Sequence, residues 1–415
     1  MNEFRPRSTM PPGRAVIARH GRLKKTNPFL TVLKFVSAAL AVVLVSGAAV
    51  TAISVTRISN NVKSVKLVGE TEGPPPELAA YEGGFNVLIV GSDVCEDGSG
   101  CNGRGSAELN DVTILLHVSQ DQTNAVAVSI PRDMVVPIPS CPAKDGKGKY
   151  GAMAGQPINN TLAYGGLPCT VLTVSKLTGL DIPFAAEVKF SGVVNISTAI
   201  GGVPVCFAGP IHDKYAGLNI PAAGEYSLSG HDALSFLRTR HGVGDGSDLG
   251  RISSQQQFLS SMVRTLKKPG GALTDPVELF KIATAVSENT IVSNSFKNLN
   301  TMIAMAQVLK NLQLDKVVFV QYPAVTGQPG LYAGKVAPVP AAAAALFAKI
   351  KADQPFTPSK PGLGSTVDPN APKTPPVPNP SSPDPAATTD APLEVLPGVQ
   401  GQSAADATCA RPFGK

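Results

Sequence analysis

The sequence predicts an α/β fold: an α/β/α sandwich with a central mixed β-sheet, preceded by one transmembrane helix. Three observations predict it. Phe85–Ser92, Val112–Ser119, Ala125–Pro131 and Lys316–Tyr322 are short, β-branched and nearly continuously apolar, as strands buried on both faces are. Helical patterns lie between and after them, which layers helices on both sides of a sheet. From Phe35 to Val55 no residue is charged.

The uncharged run sets the topology. A helix rising about 1.5 Å per residue crosses a hydrocarbon core of about 30 Å in roughly 20 residues, so 35–55 fits one crossing. Residues 1–34 carry Arg5, Arg7, Arg14, Arg19, Arg22, Lys24, Lys25 and Lys34 against Glu3 alone. That bias makes them a basic cytoplasmic tail and puts the rest of the chain outside the cell membrane. A cleaved signal peptide, cut near Gly47-Ala48-Ala49, is the alternative, but secretory apolar regions are typically about 7–15 residues. A nucleic-acid-binding arm would interleave aromatics or carry a recognition helix. The tail has neither, and attraction to anionic lipid accounts for its charge; no nucleic-acid partner is expected.

Composition divides the rest of the chain. Residues 56–80, with Gly73-Pro74-Pro75-Pro76, read as a stalk. Residues 81–354 are long enough for one large domain. From Pro355 to Lys415, Pro, Ser, Ala, Thr and Asp dominate, and such a tail buries too little to order itself, except where Cys409 and Phe413 dock. All six cysteines come after the apolar run, with no Cys-x-x-Cys, and the histidines lack zinc-ligand spacing. Outside the membrane that reads as disulfides: Cys95–Cys101, Cys141–Cys169 and Cys206–Cys409.

Helices are expected over Asn160–Leu177, Phe190–Ile200, Val277–Val286 and Leu299–Leu312. Ser229-Gly-His-Asp232 resembles a capping box opening a segment through Leu237. Ile252, Leu259, Val263 and Leu266 form a 3.6-residue stripe. Polar residues gather at the ends of these elements. Asp93 ends the first strand, Asp111 starts the second, and Arg132-Asp133 ends the third. Then come Arg238, Arg240, Asp248 and Arg251 within fourteen residues. Arg238 and Arg240, alternating on an extended segment, would point the same way, and Arg251 opens a helix whose free N–H groups favour an anion. Taken singly, each is as well explained by a solvated face or a strand cap. Together, arginines suit bidentate phosphate recognition, and nearby carboxylates suit Mg²⁺, which takes oxygen ligands and phosphate. Phosphoryl transfer needs little beyond such positioning and charge neutralisation.

At these residues the sequence resembles the LytR-CpsA-Psr family, whose members attach glycopolymers to bacterial peptidoglycan. The resemblance rests on Gly-Ser-Asp93, the Asp111 strand, Ser-Ile-Pro-Arg132-Asp133, Asn159-Asn160 with Tyr164-Gly-Gly, and Phe190-x-Gly192. It continues through Ile200-Gly-Gly-Val203, Ala233-Leu-x-Phe-Leu-Arg238-x-Arg240 and Asp248-x-Gly-Arg251-Ile-x-x-Gln255-Gln256. It implies a polyprenyl-pyrophosphate-linked glycopolymer as donor, its lipid in an apolar groove between sheet and helices. Arg132, Arg238, Arg240 and Arg251, with Gln255, would hold the pyrophosphate, Asp248 would orient the arginines, and Asp93 and Asp111 would hold Mg²⁺. A peptidoglycan hydroxyl would attack, leaving a phosphodiester and releasing polyprenyl phosphate. The chain departs from the family at Cys95 and Leu109, where arginines are common; Arg104 is the candidate substitute.

Two other readings use the same residues: a polyprenyl-pyrophosphate hydrolase, with water as nucleophile, and a non-catalytic wall-associated anchor. Retention of the aspartates and arginines weighs against the anchor. No Gly-x-Ser-x-Gly elbow and no Gly-x-x-x-x-Gly-Lys-[Ser/Thr] loop occurs, which disfavours serine-hydrolase and nucleotide chemistry.

Overall fold

The computed structural model describes residues 61–70, 81–93, 108–271, 275–368 and 393–414. The basic tail, the apolar run 35–55 and the Cys95–Cys101 loop with Arg104 lie outside the described residues. Among those described, no helix is long and apolar enough to cross a membrane.

Chain order gives β1 (Lys63–Val65), β2 (Phe85–Ser92), β3 (Asn110–Val118), β4 (Ala125–Ile130), α1 (Asn160–Thr178), β5 (Phe184–Lys189) and α2 (Phe190–Ala199). Then come β6 (Val203–Phe207), β7 (Ile211–Asp213), β8 (Leu218–Ile220), β9 (Gly224–Leu228), α3 (Gly230–Arg238) and α4 (Asp248–Lys267). The last part holds α5 (Pro276–Asn289), β10 (Thr290–Ser293), α6 (Leu299–Asn311), β11 (Val317–Gln321) and α7 (Pro340–Lys351). It closes with β12 (Thr357–Lys360), β13 (Ser365–Val367), β14 (Val395–Ser403) and β15 (Thr408–Ala410).

The four apolar runs become β2, β3, β4 and β11, inside a mixed nine-stranded sheet of order β1-β10-β5-β2-β3-β4-β11-β14-β12. Alternation along them builds two cores. Leu88, Val90, Leu115, Val128 and Val320 face α1 and α7 through Leu162, Val174, Leu346 and Phe347. Val87, Ile114, Ala127 and Phe319 face α6 and α4 through Met305, Val308, Leu259 and Val263. A smaller sheet, β9-β6-β15-β13, packs Val205 and Phe207 against Ala233 and Phe236 of α3 and Phe258 of α4. That third core steadies the segment joining α3 to α4, where the arginines lie.

Three expectations change. Part of the segment read as a stalk is β1, paired in parallel with β10, with Val62 and Leu67 buried. The tail from 355 to 415 is not disordered throughout: β12 and β14 extend the large sheet, and β13 and β15 extend the small one. Composition misled there because those strands join pre-built edges, where backbone hydrogen bonds and a few residues such as Phe356, Leu396 and Val399 suffice. Ser229 does not cap α3 with its side chain. Ser247 instead caps α4, accepting from Gly250 N at 3.2 Å.

Both expected disulfides within the described residues form. Cys141–Cys169 ties the loop after β4 to α1, with Cα atoms 5.2 Å apart. Only glycine fits at 165, since a Cβ there would meet Pro142 O at 2.6 Å and Cys169 Cβ at 2.7 Å. Cys206–Cys409 joins paired positions of β6 and β15.

Candidate active site

Asp111 owes its direction to a bulge. Gly91 pairs with Val112 but Ser92 pairs with Asn110, leaving Asp111 as the extra residue at the mouth of β3. It lines a groove of about 230 Å³. The walls are apolar: Ile89, Ile114 and Val188 from the sheet, Phe190, Val193 and Ile196 from α2, Leu234 and Leu237 from α3, Phe258, Leu259 and Met262 from α4. The groove's polar lining includes Asp111, Arg238, Arg251 and Gln255.

Beside Asp111 and Arg251, Asp248 collects the arginines. Its Oδ1 accepts from Arg251 at 2.6 Å and from Arg240 at 3.1 Å, with Arg132 Nε 3.9 Å away. Its Oδ2 accepts from the Arg132 backbone N–H at 3.1 Å. Arg132 also binds the Asp111 carboxylate, Arg240 binds Asp133 at 3.0 Å, and Arg251 donates to the Asp111 carbonyl at 3.0 Å. Three guanidinium groups thus interlock with three carboxylates, and breaking the Arg251–Asp248 pair, 4% exposed on both sides, would leave a buried charge.

Burial opposes the charge on both Arg132 and Arg251, with different outcomes. Asp111, Asp133 and Asp248 outweigh it at Arg132, whose pKa is raised. Arg251 is 3% exposed; there desolvation, with repulsion from Arg132 and Arg240, lowers the pKa in spite of Asp248. Burial also works against ionisation of Asp133, but Arg132 and Arg240 prevail and hold its pKa below the usual value. The Nε–H groups of Arg132, Arg240 and Arg251 are buried without an acceptor among the described residues. Such unmet donors suit an anionic oxygen.

The expected residues therefore divide. Arg132, Arg240, Arg251 and Asp248 form one cluster touching Asp111. Arg238 does not point with Arg240: it ends α3, is exposed, and lies 4.9 Å over the Phe190 ring at the groove rim. The cause is that Arg238 is still helical, so period-2 alternation does not apply. Gln255 holds α3 by donating to Leu237 O at 3.0 Å. Asp93, at the end of β2, accepts from Leu109 N at 2.7 Å. Asp93 and Asp111 bring carboxylate oxygens, the donor type that Mg²⁺ takes, to the neighbouring ends of the paired strands β2 and β3, where Asp111 is engaged by Arg132 and Asp93 by Leu109 N. Among the described residues, three metal-type donors converge only at Cys206, Asp368 and Cys409, where the two sulfurs are bonded to each other.

Two participants were not anticipated. Asp133 stands in the Arg132 motif but was not assigned a part; its neighbour's role was the available signal. Asp213, on β7, had no local signal. It is 2% exposed. Its Oδ2 accepts from Thr239 Oγ1 at 2.7 Å, Arg240 N at 3.1 Å and His241 N at 3.0 Å, which fixes the backbone presenting Arg240. Burial disfavours the charged form, yet the bonds from Thr239 Oγ1 and from the backbone N–H groups of Ala216, Arg240 and Tyr215 hold its pKa low.

A family model, that of the LytR_cpsA_psr family, matches residues 43–338, well over half of the chain. The chain belongs to this family. The cell wall biosynthesis protein LcpA of Corynebacterium glutamicum is 31% identical over 269 residues, 59% of this chain and 51% of that protein. This LytR_cpsA_psr chain thus spans about half the length of that relative. The polyisoprenyl-teichoic acid–peptidoglycan teichoic acid transferase TagT of Bacillus subtilis is 25% identical over 255 residues, 59% of this chain and 73% of that one. A solved LytR-Csp2A-Psr enzyme from Actinomyces oris superposes with a TM-score of 0.51 at 21% identity, over 70% of this chain and 95% of that one, a likeness of fold.

Proposed function

We propose that this member of the LytR_cpsA_psr family is a phosphotransferase that moves a glycopolymer from polyprenyl pyrophosphate to peptidoglycan. The observation that carries the reading is the apolar groove running directly into the arginine–aspartate cluster. A polyprenyl chain matches the groove's apolar walls, and a pyrophosphate joined to it matches Arg238 and Arg251, which line the groove, with Arg251 tied through Asp248 to Arg132 and Arg240. The name of the Bacillus subtilis relative supports the same chemistry.

In this reading an acceptor hydroxyl attacks the phosphorus that bears the sugar. A phosphodiester forms, and the bond to polyprenyl phosphate breaks. Charge moves toward the leaving phosphate, so donors held in place before the reaction stabilise the transition state more than the ground state. Arg132, Arg240 and Arg251 are such donors, because Asp248, Asp133 and Asp111 fix them. Mg²⁺, held by Asp93 and Asp111, would neutralise phosphate charge. The apolar run 35–55 would anchor the chain in the cell membrane, with its N-terminus cytoplasmic and this site outside, where the acceptor wall lies.

The test incubates full-length protein in detergent with a polyprenyl-pyrophosphoryl saccharide, with and without peptidoglycan, and measures polyprenyl phosphate. Release that depends on peptidoglycan is expected. Release without it would make the protein a hydrolase, and no release would make it an anchor. Addition of EDTA is expected to abolish release, and unchanged release would contradict a role for the metal.

A further inference from the structure

Tyr215 occupies the turn between β7 and β8 and is 72% exposed. Its ring centroid lies 4.9 Å from that of His241, inclined at 57°, and Lys214 Nζ is 5.2 Å from it. The turn is fastened to the active site by one carboxylate. Asp213 Oδ1 accepts from Tyr215 N at 3.0 Å and Ala216 N at 3.2 Å, while its Oδ2 holds the N–H groups of Arg240 and His241. Gly217, at φ 75°, supplies the left-handed residue that closes the turn. A large aromatic side chain is thus held out in water on a locked turn, against the residue that comes directly after a catalytic arginine.

We infer that Tyr215 and His241 form a stacking platform for a pyranose ring of the saccharide handled at this site. The inference rests on the transferase reading for its substrate class. The carbon-bound hydrogens of a pyranose carry partial positive charge, and the face of an aromatic ring is negative, so the two stack as other aromatic contacts do. Neither residue lines the apolar groove, whereas Arg238, three residues before His241, does. The platform therefore serves the part of a substrate that lies beyond the lipid. Lys214, exposed beside the ring, would meet hydroxyl or carboxylate oxygens of the same sugar. That sugar belongs either to the donor, next to its pyrophosphate, or to the acceptor glycan.

The test uses full-length protein in detergent and two probes, chitotetraose and a polyprenyl-pyrophosphoryl N-acetylglucosamine, with binding read by saturation-transfer NMR on the sugar protons. Tyr215→Ala is expected to weaken at least one probe tenfold or more, and Tyr215→Phe, which keeps the ring, to bind as the parent does. Chitotetraose weakened assigns the platform to the acceptor, and the lipid-linked sugar weakened assigns it to the donor. Where transfer is measurable, KM for that substrate should rise about as much, with kcat within threefold. Equal binding of both probes by all three proteins, or no binding by the parent, overturns the inference. Ring-dependent binding without any transfer leaves the platform standing and rejects the transferase reading.

Discussion

Three guanidinium groups approach the Asp248 carboxylate from three segments: the end of β4, the stretch after α3 and the first turns of α4. The sequence exposed this cluster because arginine and aspartate crowd element ends, and an element end is where a side chain leaves the core for a site. It did not expose Glu187, which looks like an ordinary charge in β5. That residue is 4% exposed, and its Oε1 is buried without a partner among the described residues. Burial, reinforced by Glu108 and only partly offset by Lys144, pushes its carboxyl from the usual 4.5 up to about 7. The folded protein therefore keeps this proton to a higher pH than the unfolded chain does, and the residue's contribution to stability falls as pH rises from about 4.5 to 7. At about 1.4 kcal/mol per unit, the loss amounts to roughly 3–4 kcal/mol by pH 8. Glu187→Gln should accordingly raise the urea-unfolding free energy at pH 8 by about that amount and leave it nearly unchanged at pH 4. Equal effects at both pH values would show that Glu187 is not held protonated.

At the scale of elements, the strands and helices of the central sheet were legible because each buries continuous or periodic apolar surface. β12, β14 and β15 were not, because a strand completing an existing edge needs little hydrophobic signal of its own. Their place has consequences for the site. Arg264 donates to Ala404 O at 2.8 Å and Asp406 O at 3.2 Å. Past β15, Gly244 N donates to Arg411 O at 2.9 Å and Phe413 N to Gly242 O at 3.0 Å. The chain's end thus clamps the loop between Arg240 and Asp248. Cys409 and Phe413 were the readable marks of this docking. A specific protease site placed between Asp368 and Leu393 should give a C-terminal fragment that stays attached on a denaturing gel and separates on reduction. Separation without reductant would refute the Cys206–Cys409 bridge. Cys409→Ser should cost about 2–5 kcal/mol in stability, measured by denaturant unfolding, and should slow turnover because the clamp loosens. Full stability and rate in that variant would make the bridge incidental.

At the scale of the whole molecule, the proposed reaction requires the site to stand on the side of the membrane where the wall is built. The charge bias of residues 1–34 against the uncharged 35–55 carries that requirement. A phosphatase reporter fused after Lys415 should be active only when exported, and a fluorescent reporter that folds only in the cytoplasm should work only at the N-terminus. The reverse pattern would contradict the topology. In the proposed mechanism the arginines act as fixed planar donors rather than as mere positive charge. The most direct measurement is the single-turnover rate of polyprenyl phosphate release, with peptidoglycan present, for Arg132→Lys and Arg240→Lys. Lysine keeps the charge but not the fork, and circular dichroism and binding of the lipid-linked donor are checked first. Donor binding should stay within a few-fold of the parent while the release rate falls by on the order of 10²–10³. Release at the parent's rate by both folded variants would contradict catalysis by fixed arginine donors.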